Sequence, residues 1–133
     1  MTTPNMKAGG GAGMLIARAR ARAIVRLIES LRLPLSDEKA LQAALEPHLL
    51  KHCGLALREN NLGDGDIIDF LVDGVGVEIK IKGQRRAIFR QCQRYCAHDS
   101  IQALVLATNA AMGLPTTIAG KPVFVASLGR GWL

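Results

Sequence analysis

Residues 66–81 read DIIDFLVDGVGVEIKI, two runs rich in β-branched residues on either side of Asp73-Gly74. An Asp-Gly pair between alternating apolar runs is the strongest short-range hairpin signal, since tight two-residue turns need left-handed backbone at the loop positions. With Asp73 and Gly74 as the loop, Val72 faces Val75, Phe70 faces Val77, Asp69 faces Glu78 and Ile67 faces Lys80. Side chains alternate across a strand, so this register predicts one wholly apolar face of Ile68, Phe70, Val72, Val75, Val77, Ile79 and Ile81. The other face carries Ile67, Asp69, Leu71, Gly76, Glu78 and Lys80, and it sets two carboxylates directly opposite each other. Such neighbours have Cβ atoms about 4.5–5.5 Å apart, where like charges repel. A cation between them turns repulsion into attraction, and oxygen-only ligands suit Mg²⁺ or Mn²⁺. Lys80, on the same face, points its ammonium toward whatever that cation holds. The plainer alternative is a solvated face on which Asp69 and Lys80 form a surface pair of little worth.

Asp69, a gap of eight residues, then Glu78-Ile79-Lys80 is similar to the Asp…Glu-x-Lys signature of the PD-(D/E)XK nuclease superfamily. Downstream, Gln91-x-x-x-Tyr95 resembles the Gln-x-x-x-Tyr motif of its RecB-like branch of small phage and bacterial nucleases. The family's proline before the first acid is replaced here by Ile68, and the likeness spans about residues 36–108. The resemblance implies a restriction-endonuclease-like α/β fold: a mixed central sheet in the order αβββαβ plus a C-terminal strand, helices packed against it, and an extra N-terminal helix. It also implies hydrolysis of DNA phosphodiesters by a carboxylate-bound Mg²⁺ or Mn²⁺. Asp69, Glu78, the carbonyl of Ile79 and an acid from the preceding helix, Glu38, would hold the metal. Lys80 would position water or neutralise the oxyanion, while Gln91 and Tyr95 would place the scissile strand. Glu38 equally fits an ordinary first-turn acid favoured by the helix dipole, Glu46 is a second candidate, and Tyr95 alone fits a core aromatic. Two other classes stay open: a catalytically inactive DNA-binding or assembly subunit of the same fold, and a structural dimeric module.

At 133 residues, 49% hydrophobic and 21% charged, the chain has the composition of one globular domain rather than of a disordered segment. No apolar run reaches the roughly 18 residues of a membrane span, and Arg18, Arg20 and Arg22 interrupt any secretory core. Cys53, Cys92 and Cys96 form no Cys-x-x-Cys pair and read as reduced thiols of a cytoplasmic protein. Cys92 and Cys96 with His98 could make a soft metal site, but buried thiols are the commoner use of such cysteines. The 4% aromatic content argues against a base-stacking surface.

Taken in order, residues 1–13 with Gly9, Gly10, Gly11 and Gly13 predict a flexible tail, and residues 14–33 a basic helix with Ile24, Leu27, Ile28 and Leu31 inward. The first 35 residues hold six Lys/Arg against Glu29, nearly the whole formal +6. Arg18 and Arg22 on that helix are candidates for an arm on the DNA backbone, or for solvated residues of a helix that packs in a homodimer. Residues 34–133 form the nuclease-like domain. Ser36 is the expected N-cap of a helix to about Lys51, residues 54–60 the first strand, and Glu59 a further acid within reach of the site. Residues 85–98 predict a helix with Ile88, Cys92, Tyr95 and Cys96 inward. From Lys80 to Arg94 the chain carries Lys82, Arg85, Arg86 and Arg90 with no acid, which makes backbone phosphates the natural partner. Residues 101–108 predict a central strand, and residues 123–128 a last one before the tail Trp132-Leu133. The partners expected are thus DNA, a second copy or larger complex left open, and no membrane.

Overall fold

The computed structural model describes residues 3–129, with side chains from residue 11 onward; Trp132 and Leu133 lie outside it. Three helices and six strands follow in the order α1 (Thr3–Ser30), α2 (Glu38–Cys53), β1 (Leu57–Gly63), β2 (Asp66–Val72), β3 (Val75–Lys80), α3 (Arg85–Cys96), β4 (Ala103–Thr108), β5 (Thr117–Ile118) and β6 (Lys121–Ser127). The strands form one mixed sheet ordered β1-β2-β3-β4-β6-β5. β1, β2 and β3 pair antiparallel, β3, β4 and β6 run parallel, and β5 returns antiparallel on β6. No helix among the described residues is long and apolar enough to cross a membrane.

The sheet is buried on both sides, so its middle strands read as continuous apolar runs rather than alternations. On one face Ala17, Ala21, Ile24 and Ile28 of α1 and Leu41, Leu45 and Leu49 of α2 pack on Phe70, Val72, Val75, Val77, Ile79, Val105 and Ala107. On the other, Ile88, Cys92, Tyr95 and Cys96 of α3 pack on Ile68, Leu104, Leu106 and Val123. Each of the large apolar side chains fully buried this way contributes about 1.5–3 kcal/mol.

Several boundaries differ from expectation. Helix α1 begins at Thr3, so residues 3–13 are helical and the tail expected there is not seen. Each glycine costs about 1 kcal/mol relative to alanine but leaves the hydrogen-bond ladder whole, and Pro4 sits in the first turn, where its missing N–H is not needed. The N-cap of α2 is Asp37 instead of Ser36, its side chain accepting from the Lys39 N–H at 3.0 Å. That helix continues past Pro47 to Cys53 and ends on Gly54 at φ 79°, a left-handed cap that suits glycine, so β1 starts only at Leu57.

Three contacts fix the course of α1. Gly13 lies beside Gln102 at the start of β4, Arg20 pairs with Asp73 in the hairpin turn at 3.1 Å, and Glu29 accepts the Ser127 N–H at the end of β6 at 2.9 Å. The helix therefore runs alongside the parallel strands and in their direction. Arg20 thus stands by the start of β3, at the other end of the strand from Lys80.

Candidate active site

The hairpin keeps its expected register only near the turn. Val72 pairs with Val75, Leu71 with Gly76 and Phe70 with Val77, and there the ladder stops although β2 reaches back to Asp66 and β3 on to Lys80. Asp69 and Glu78 occupy the opening. The Asp69 N–H donates to Glu78 Oε1 at 3.2 Å, and the Ile79 N–H donates to Asp69 Oδ2 at 2.8 Å. Side-chain carboxylates have thus replaced main-chain carbonyls as acceptors across the gap, and the two acids are interlocked.

This opening also overturns the single apolar face expected of the hairpin. Ile68 lies with α3 on the far face, the face that Leu71 also adjoins, so the strict alternation fails between them at Asp69. Gly76 makes room for it: a Cβ there would stand 2.5 Å from Ile68 Cδ1 and 2.9 Å from Ile101 Cδ1. On the outer side, Arg58 pairs with Phe70 and Asn60 with Ile68, while the rung between Glu59 and Asp69 is missing and Glu59 takes φ 49°. The Ile67/Lys80 pairing expected from the turn is likewise not formed, because the strands have already parted.

Glu78 is only 3% exposed. Burial, then the Asp69 charge, pushes its carboxyl up to about 8, and Asp69 is raised chiefly by its own burial. Lys80 Nζ stands 3.6 Å from Glu78 Oε2 and partly offsets both effects. Glu38 enters from the first turn of α2, its Oε2 accepting the Ile81 N–H at 2.9 Å, close enough to Asp69 to raise that carboxyl further. Because N–H and C=O of one strand residue point to the same side, the Ile79 carbonyl also faces the opening. Glu46, the other helix acid, is drawn off to Arg58 at 3.4 Å. Glu59 is bound to Lys39.

Among the described residues no three His, Cys, Asp or Glu side chains converge tightly enough to form a ready metal cage. The donor set present still fits Mg²⁺ or Mn²⁺ in kind: hard oxygens of Asp69, Glu78, Glu38 and the Ile79 carbonyl. Glu78 is buried and Asp69 half-buried, and the Asp69 charge helps keep Glu78 protonated, so a divalent cation between them would favour the ionised pair. Cys92 and Cys96 are buried in the core and free, with thiols raised by burial, which suits packing rather than metal binding.

Gln91 and Tyr95 do meet, Gln91 Nε2 donating to the Tyr95 hydroxyl at 2.8 Å, which donates to the Ile67 carbonyl at 2.9 Å. Tyr95 is 1% exposed, so direct contact with a nucleic-acid strand, expected from the motif, is closed to it. Instead it satisfies the carbonyl freed where β2 leaves β3, and so props the opening from below. Gln91 stays half-buried and lines a cleft of about 260 Å³ with Lys80, Lys82, Gly83, Ala87, Ile88 and Arg94. None of those lining residues is acidic. Lys82, Arg85, Arg86 and Arg90 are exposed beside it on the loop and helix that follow β3.

The arginines of α1 do not line this cleft. Arg18 is half-buried, and the Arg22 guanidinium lies 6.0 Å from the Phe124 ring on β6. Sequence reasoning missed Asp66, which accepts Arg94 Nε at 3.3 Å with one oxygen and stands 2.7 Å from His98 Nε2 with the other. Nothing in the spacing ties it to residues 28 and 32 positions downstream. Compared with known proteins, the chain matches no family model, no curated sequence and no solved structure.

Proposed function

We propose that this chain is a metal-dependent DNA nuclease built on a restriction-endonuclease-like core, working in the cytoplasm on phosphodiester bonds. The observation that carries the reading is the strand opening, where Asp69 and Glu78 interlock beneath Lys80 at the end of β3. An ordinary surface would not set a buried Glu78 against the half-buried carboxyl of Asp69, since a desolvated carboxylate costs free energy unless something balances it. A divalent ion bound by Asp69, Glu78, Glu38 and the Ile79 carbonyl would supply Lewis acidity and an activated water there.

The chain's own groups have separable tasks in this reading. Lys80, 24% exposed at its side chain, holds the attacking water or the charge developing on the phosphate. Tyr95 and Gln91 keep β2 apart from β3, which preserves the pocket for the acids. Lys82, Arg85, Arg86, Arg90 and Arg94 grip the backbone of the strand by charge and forked hydrogen bonds, without reading its sequence.

The competing reading is an inactive DNA-binding or assembly subunit. In its favour, one oxygen of each central acid is already spent on a main-chain N–H. Incubation with plasmid, single-stranded and branched DNA in Mg²⁺ or Mn²⁺ separates the two, run beside Glu78→Ala and Lys80→Ala. The nuclease reading expects cleavage by the wild type and a loss of about 10²-fold or more in each variant. Binding without cleavage under either metal selects the inactive subunit, and equal cleavage by all three proteins overturns the site.

A further inference from the structure

The cleft between the end of β3 and α3 contains an arginine that is held from behind. Arg94 gives its Nε to Asp66 Oδ1 at 3.3 Å while its side chain remains 56% exposed, so the Nη end of the fork is open to the cleft it lines. Asp66 is itself tethered. Its second oxygen meets His98 Nε2 at 2.7 Å, and the His98 carbonyl accepts from Lys121 Nζ. These two partners keep the Asp66 carboxyl below the usual carboxylate range, His98 contributing more than Arg94. A guanidinium fixed through Nε has already lost much of its rotamer freedom, so it binds an oxyanion with less ordering cost than a loose lysine.

We propose that Asp66 is a positioning residue that presents Arg94 to a backbone phosphate of a nucleic-acid strand lying in this cleft. The nuclease reading supplies the substrate class, but the contact is a binding contact and does not depend on cleavage. Lys80 and Lys82 line the same cleft with no acid among the lining residues, so a phosphate there meets three cations within one small volume. Asp66 stands behind Arg94 and is not itself a lining residue.

The proposal has a sign that simple charge counting does not. Removing an acid beside a phosphate site should tighten binding if only net charge matters. If Asp66 positions Arg94, Asp66→Asn loosens binding instead, by about threefold to tenfold, and Arg94→Ala does the same while lowering the slope of log affinity against log salt by about one. Combining the two should add nothing beyond Arg94→Ala alone, since the fork that Asp66 orients is then gone.

The test is fluorescence anisotropy with labelled 5′-hydroxyl and 5′-phosphorylated oligonucleotides, in chelator so that no strand is cut, using the full chain and a salt series. Melting curves accompany each variant. Tighter binding by Asp66→Asn, or an equal further loss when Asp66→Asn is placed on Arg94→Ala, overturns the proposal. A loss confined to 5′-phosphorylated strands overturns the backbone assignment. Should Asp66→Asn fail to fold, Arg94→Lys decides: it keeps the charge but not the fork, so wild-type affinity in that variant overturns the proposal and a loss like that of Arg94→Ala supports it. Absence of any nucleic-acid binding by the wild type overturns both this proposal and the nuclease reading. Cleavage that depends on Glu78 with affinity indifferent to Arg94 overturns this proposal alone.

Discussion

Replacing Glu78 by glutamine should change how stability depends on pH more than it changes the fold. In the folded chain the Glu78 carboxyl sits near 8, against an ordinary value of 4.5, because it is buried and faces Asp69. Between those values the folded state holds a proton that the unfolded chain has released. Stability therefore falls as pH rises, at up to about 1.4 kcal/mol per pH unit for one such group. The contribution is fully present below about pH 4.5 and is lost as pH climbs through 8. Over pH 5 to 8 the loss amounts to about 3 kcal/mol, or on the order of 10 °C in melting temperature for a chain of this size. Asp69, also raised, adds in the same sense from a lower starting point. Glu78→Gln keeps an oxygen for the Asp69 N–H but cannot titrate, so its profile in chelator should be much flatter. Saturating Mg²⁺ should flatten the wild-type profile too, raising the melting temperature most at pH 8, because a cation takes the place of the proton and binds only the folded state. Thermal melts from pH 5 to 8, with chelator and with Mg²⁺, read all of this. A wild-type profile that is level in chelator, or a Glu78→Gln profile as steep as wild type, would refute a buried Glu78 facing Asp69.

Two further outcomes follow from packing. Gly76→Ala should cost about 1–3 kcal/mol by chemical denaturation, since its Cβ would meet Ile68 and Ile101 in a core with no slack, and a neutral result would mean Ile68 does not cross at Gly76. Deleting the chain up to Leu33 should give insoluble or unfolded protein rather than a folded domain with weaker DNA affinity, because Ala17, Ala21, Ile24 and Ile28 line one side of the sheet; a soluble domain with an unchanged circular dichroism melt would sink that view.

What the sequence disclosed was governed by local chemistry. Asp73-Gly74 sets the hairpin register for the pairs next to it, and these form as read. The periodicity of Ile24, Ile28 and their neighbours found α1, but Ala17 and Ala21 carry too little hydrophobic signal to show that the helix lies on the sheet. That they do so leaves Arg20 at the Asp73 turn and Arg22 beside Phe124 on β6. The parting of β2 from β3 was hidden, because alternation assumes an unbroken ladder. Its trace is the glycine within β3, since a strand glycine marks a close approach of another chain segment. The neighbouring run Phe70-Leu71-Val72 is apolar without alternation, which is how a strand covered on both faces reads. The inward place of Tyr95 follows from the helical spacing and is met; what was hidden is the partner of its hydroxyl, since the Ile67 carbonyl is freed only where β2 leaves β3.

The opening at Asp69 lies at the carboxyl end of β3, next to the loop that leads into α3. In open α/β sheets ligands gather at the carboxyl ends of parallel strands, where main-chain groups and loop side chains converge. Here the convergence has a local cause. Once β2 leaves β3, the Ile79 and Ile81 N–H groups lose strand partners, and it is Asp69 and Glu38 that accept them, one from the departing strand and one from the helix behind it. The same contacts that repair the ladder thus bring the acids to one edge, and the Ile67 carbonyl released on the other strand is what fastens Tyr95 and, through it, Gln91 beneath them. A structural repair alone would be made as well by neutral amides or serines as by carboxylates. Choosing two interacting carboxylates, one pushed up to about 8, costs stability at neutral pH that the repair does not require, and that excess is the physical reason to look for a cation in the opening.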